Sequence, residues 1–143
     1  MKCLTQLLTL FLIGHFLTGF SQKELSEKEL EEIFYKADEY FDAGNYPQAL
    51  QLYIQLLEKE PDNGNVNWKA GLCYLNTRFE KTKAISHLEK ACLKRSAKYV
   101  DDNHTEKSSP PIVYYDLARA YHFNYQFVEA EDNFKKFKAF ITP

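Results

Sequence analysis

Asp101, Asp102, His104 and Glu106 bring three carboxylates and an imidazole into one short stretch. Side chains of these types could hold a cation or a polar partner. No second His or Cys falls at ligand spacing, so the plainer reading is preferred: Arg95 to Pro110 is a solvated polar excursion whose charges face water. Within it, Asn103-His104-Thr105 is a glycosylation sequon wherever the host modifies exported chains at Asn. Cys73 and Cys92 lie inside helical apolar patterns, where a thiol behaves as a small hydrophobe, and a bridge between them is not favoured. The sequence contains no Gly-rich phosphate loop, metal-spaced His pair or nucleophile elbow, and its other Ser, His and carboxylate side chains fall on separate elements. An enzyme is therefore not expected, nor a metal, a cofactor or a small-molecule substrate.

Composition points the same way. The chain has 143 residues, enough for one small domain beyond an export segment. Ten Tyr and eleven Phe against five Gly and five Pro favour helices with aromatic knobs over loops. A formal net charge of -2 offers no surplus of Lys and Arg for a phosphate backbone, so nucleic acid is excluded as a partner. Residues Met1 to Ser21 read as a secretory signal. Lys2 gives the positive start, and the mostly apolar run Leu4 to Leu17 is shorter than the roughly 20 residues a membrane span needs. Gly19-Phe20-Ser21 offers a cleavage site that leaves Gln22 as the mature N-terminus. An uncleaved anchor is the competing reading, disfavoured because nothing like a stop-transfer segment follows. Cys3 precedes the apolar run and would leave with the signal.

The elements that must position any site are helices. Ser26-Glu27-Lys28-Glu29 is a capping box, with Leu25 and Leu30 placed as its hydrophobic staple. Leu30, Ile33, Phe34, Ala37, Tyr40 and Phe41 then form one apolar stripe. Gly44-Asn45 stops that helix, and Pro47 opens the next, which carries Ala49, Leu50, Tyr53, Leu56 and Leu57 up to Pro61. A second pair follows with Trp68, Gly71, Leu72, Tyr74 and Leu75, then Ala84, Ile85, Leu88, Ala91 and Cys92, joined by a longer turn from Asn76 to Lys83. A third starts after Pro110-Pro111, with Tyr114, Leu117, Ala118 and Tyr121, then Ala130, Phe134 and Phe137. Small residues such as Ala49 and Gly71 are expected where two helix backbones approach, and enlarging one to Leu would cost about 1–3 kcal/mol.

A period near 34 residues with these residues in place resembles the tetratricopeptide repeat (TPR). The first unit carries Ala37, Tyr40, Gly44, Tyr46, Ala49, Tyr53 and Pro61 at the family's positions. The second carries Gly71, Tyr74, Ala84 and Ala91, and the third Leu117, Ala118, Tyr121, Phe127, Ala130 and Phe134. The second unit departs by its longer turn, and the third has Tyr125 where the turn glycine would be. The resemblance implies an all-α fold: a TPR-type α-solenoid of about three helix-turn-helix units after the signal peptide (1–21). The TPR domain would span 22–143, with units at about 30–63, 64–94 and 111–143 and the polar insert at 95–110.

In such a stack the first helix of each unit lines a concave groove that binds protein or peptide. Counting along the matched units places Phe34, Tyr35, Asp38 and Phe41 there, then Trp68, Lys69, Leu72 and Asn76, then Tyr115, Asp116, Arg119 and His122. Lys69, Asp116, Arg119 and His122 are expected as its exposed polar markers, and Trp68 as the binding hot spot. Some family members hold a C-terminal carboxylate in a clamp of Lys and Asn. Phe34 and Asp38 occupy clamp positions here, so that ligand class is not expected.

Signal peptide, three units and a polar insert before the third also resemble the N-terminal region of Gram-negative envelope proteins that continue into a β-propeller and an OmpA-like domain. The last helix keeps Phe134, Phe137, Phe140 and Ile141 almost to its end, an apolar edge expected to dock on downstream domains, a partner subunit or a second copy. The expected function is that of an exported adaptor, periplasmic or outer-membrane-associated, holding another envelope protein through its groove or apolar edge. A shortened relative of an OmpA-like peptidoglycan anchor ranks second, and an enzyme third.

Overall fold

The computed structural model describes residues 25–142, so the stretch 1–21 expected to act as a secretory signal lies outside the described residues. The described residues form six helices and no strand: α1 (Glu27–Asp42), α2 (Tyr46–Lys59), α3 (Gly64–Asn76), α4 (Lys83–Leu93), α5 (Val113–Phe123) and α6 (Phe127–Ile141). The all-helical class follows. None of these helices is long and apolar enough to cross a membrane.

Local chemistry sets the helix ends. Ser26 Oγ accepts from the Glu29 amide at 3.3 Å while the Glu29 carboxylate accepts from the Ser26 amide at 2.8 Å, closing the capping box. Asn63 Oδ1 caps α3 through the Val66 amide. Gly44, at φ +73°, ends α1 with its amide on Phe41 O and that of Asn45 on Tyr40 O. Tyr125 repeats this turn after α5 at φ +60°, its amide on His122 O and that of Gln126 on Tyr121 O.

Each helix packs on its neighbours in chain order, α1 on α2 through to α5 on α6, and α3 also touches α5. One cluster joins α1, α2 and one face of α3 around Phe34, Tyr53, Leu57, Val66 and Cys73. A second runs from Tyr74 and Leu75 through Leu88, Val113, Leu117 and Ala130, and Leu50 packs against both. Gly71 is where α3 meets α4: a Cβ there would stand 2.6 Å from Leu88 Cγ, so the position takes no larger residue without repacking. Cys73 and Cys92 are free, and burial pushes each thiol up to about 12.

The segment between α4 and α5 keeps Arg95, Lys98, Asp101, Asp102 and Lys107 exposed, as expected of a solvated stretch, but it is not a free excursion. Residues 96–109 form a strap that folds back over α1 and α3. Its neck is closed by the Ser96 amide on Ser109 O (2.8 Å), the Ser109 amide on Lys94 O (3.1 Å) and Ser109 Oγ on Ala91 O (2.7 Å). Lys107 O accepts from the Gly64 amide at 2.8 Å, and the Lys107 ammonium pairs with Glu60.

Candidate functional site

The face shared by α1, α3 and α5 is crossed by a polar network. Asp38 of α1 is its hub: Tyr53 Oη donates to Oδ1 at 2.5 Å and Lys69 Nζ to Oδ2 at 2.9 Å. The Lys69 ammonium also lies 5.5 Å and 5.9 Å from the ring centres of Phe34 and Phe41. Burial pushes the Tyr53 hydroxyl far up, with the Asp38 hydrogen bond adding to it, so it remains a donor. Next along α3, Trp68 Nε1 donates to Asp116 Oδ2 at 2.9 Å and Arg119 to Asp116 Oδ1 at 3.3 Å. Burial raises the Asp116 carboxyl above its ordinary value, and these two donors only partly oppose it.

The strap closes over this network. Tyr99 sits edge-on to Trp68, ring centres 5.8 Å apart, and its hydroxyl lies 3.0 Å from Asn65 Oδ1 and 2.9 Å from Asp101 Oδ1. One phenolic proton cannot serve both, and Asn65 Nδ2 is buried with no partner. A 180° turn of the Asn65 amide satisfies both groups: Tyr99 donates to the carboxylate and Nδ2 to the Tyr99 oxygen. Asp101 Oδ1 also stands 3.5 Å from Lys69 Nζ. Burial would raise Asp101, but the Tyr99 hydroxyl, the Asp102 amide and Lys69 together hold it below the usual carboxylate range. Further along, His104 Nδ1 lies 3.5 Å from Tyr35 Oη and 3.8 Å from Glu31. A cleft of about 270 Å³ remains between strap and helices, floored by Leu30, Phe34, Leu56 and Val66 and rimmed by Lys59, His104 and Lys107.

The groove expectation is corrected at three positions. Asp38, Lys69 and Asp116 are buried (7%, 5% and 4% exposed), because they satisfy one another, Tyr53, Trp68 and Arg119 beneath the strap. Phe34 is buried, while Trp68, Phe41, Leu72 and Arg119 are half-buried. Tyr35 and Tyr115 are exposed, but Tyr35 faces His104 and Tyr115 packs on Phe134 and Phe137. Asn76 and His122 are open. Sequence reasoning missed Tyr99, Asn65 and Tyr53 as members of the network. An aromatic in an otherwise polar insert, Tyr99, was the available signal. Asp101, Asp102, His104 and Glu106 do not converge: Asp101 turns to Lys69, and Glu106 accepts from the Val100 and Ser108 amides. No group of three or more His, Cys, Asp or Glu among the described residues could hold a metal ion.

At the far end, Phe127, Phe134 and Ile141 recur every seven residues along α6 and are exposed in one row. Phe127 and Phe134, with His122 and Ala130, border a shallow groove of about 360 Å³ flanked by Glu131, Lys135 and Lys138. Phe137 is half-buried against Tyr115, and Phe140 is exposed on another flank of the helix. No family model matches the chain, and neither a curated protein nor a solved structure is significantly similar to it.

Proposed function

We propose that this protein is an exported TPR-type scaffold of about three helix pairs that holds another protein at the cell envelope and carries out no chemistry of its own. The repeat reading is supported by the chain-order packing of the six helices, by the equivalent turns at Gly44 and Tyr125, and by the close approach of Gly71 to Leu88. The relation to the N-terminal region of OmpA-family envelope proteins rests on the same residues and on the export segment.

The observation that carries the binding function is the exposed row Phe127, Phe134 and Ile141 on α6. In a stack of helix pairs, each such row is covered by the helix of the next pair. The partner proposed is therefore a protein that presents the apolar face of an amphipathic helix. With the α1 and α3 part of the groove covered by the strap and Tyr115 packed on α6, the apolar edge is the stronger of the two expected surfaces. Affinity capture from an envelope extract, with the parent chain beside Phe134→Ser/Ile141→Ser, tests this. One protein retained by the parent and lost by the folded variant is expected. Equal retention by both would remove the edge from the function.

A further inference from the structure

The strap is fastened in two different ways. Its neck is closed on itself by the Ser96 amide on Ser109 O and joined to the ends of α4 and α3 by the Ser109 amide on Lys94 O and the Gly64 amide on Lys107 O. Its tip meets α1 and α3 through side chains: Tyr99 on Trp68 and Asn65, Asp101 on Lys69, and His104 on Tyr35 and Glu31. The tip's own backbone bonds, Tyr99 N to Ser96 O and Glu106 N to Asn103 O, stay within the strap. Val100, Asp101 and Asp102 remain exposed. A tip held this way can lift about a closed neck without breaking helix or neck.

What the tip presents is an aromatic ring two positions ahead of a carboxylate. The helices answer with the edge of an indole, a buried amide and an ammonium already set in place by Asp38. We propose that Asn65, Trp68 and Lys69 form a binding site for a short peptide segment bearing an aromatic-x-carboxylate motif, and that Tyr99 and Asp101 fill it as a tethered ligand that an incoming segment of another protein displaces. This rests on the protein-holding reading above and names the chemistry of a second ligand. Specificity comes from both ends of the motif. A peptide without the carboxylate leaves the Lys69 ammonium with Asp38 alone, and one without the ring leaves Trp68 uncovered. The tether sets the threshold, because a tip on so short a loop competes at an effective concentration on the order of millimolar.

The test uses the full chain and a fluorescein-labelled synthetic peptide with the sequence of residues 96–106. Anisotropy should show it binding Tyr99→Ala/Asp101→Ala at least ten-fold more tightly than it binds the parent. Replacing Tyr and Asp by Ala in the peptide should weaken that binding at least ten-fold. Equal binding to parent and variant, or indifference to the peptide's Tyr and Asp, would overturn the proposal. If the double variant loses its helical circular dichroism, Asp101→Asn takes its place, and emission from Trp68, the only Trp in the sequence, reports unlabelled peptide. A saturable change with the native peptide and none with the Ala peptide is expected, and no change with either would refute it. Failure here together with capture of a partner by α6 overturns the strap site alone, whereas peptide binding without capture overturns the α6 reading alone.

Discussion

Lys69 is enclosed by Asp38, Asp101, Phe34 and Phe41, and its cost of removal follows from that enclosure. Lys69→Met leaves the Asp38 carboxylate buried without its cation, which should lower stability by about 3–5 kcal/mol. Adding Asp38→Asn, which still accepts from Tyr53, should recover most of that loss. Urea unfolding of both variants measures it, and additive losses would contradict the pairing. His87 gives a pH prediction. Asn67 Nδ2 already donates to Pro61 O and Asn63 O, so Asn67 Oδ1 accepts from His87 Nδ1 at 3.0 Å, which fixes the nitrogen that carries the proton in the neutral ring. Burial, then Lys90 and Lys83, lower His87 below its ordinary value near 6.5. Below pH 6.5 the unfolded chain takes up a proton that the folded chain refuses, so the contribution of His87 is lost as pH falls toward the folded value. The loss is at most about 1.4 kcal/mol per pH unit. Unfolding at pH 7.5 and 5.5 should show the parent losing more stability than His87→Gln. At this scale the sequence was least informative: nothing local to Asp38, Lys69 or Asp116 announces burial, because Tyr53 and Lys69 reach Asp38, and Trp68 reaches Asp116, from other helices.

Helix limits were the most legible feature, since caps and stops act over a few residues: Ser26 with Glu29, Gly44-Asn45, and Pro47 in the first turn of α2. Tyr125 was legible as a departure, and its consequence is energetic. A non-glycine residue in the left-handed region costs about 1 kcal/mol, and the Tyr125 side chain is exposed. Tyr125→Gly should raise stability by about 0.5–1 kcal/mol, read as a higher thermal midpoint, whereas Gly44→Ala should lower it. The strap was not legible as an element. It has no periodicity, and its polar residues read as solvated because their partners, Trp68, Lys69 and Gly64, are more than thirty positions away in the chain.

As a whole, the molecule is a run of helices in which each covers the apolar face of the one before, with the strap laid across α1 and α3. The all-helical class was legible because apolar stripes of helical period persist from Leu30 to Phe137. We propose that another protein sits on the row left exposed on α6, Phe127, Phe134 and Ile141, and that proposal can be tested in place. Its most direct test replaces Phe134 with a photoreactive phenylalanine analogue, with the same analogue at exposed Gln51 on α2 as reference. On irradiation in the cells that make the protein, one discrete crosslinked protein is expected from position 134 and none from position 51. No crosslink at 134, or the same pattern from both positions, would contradict it.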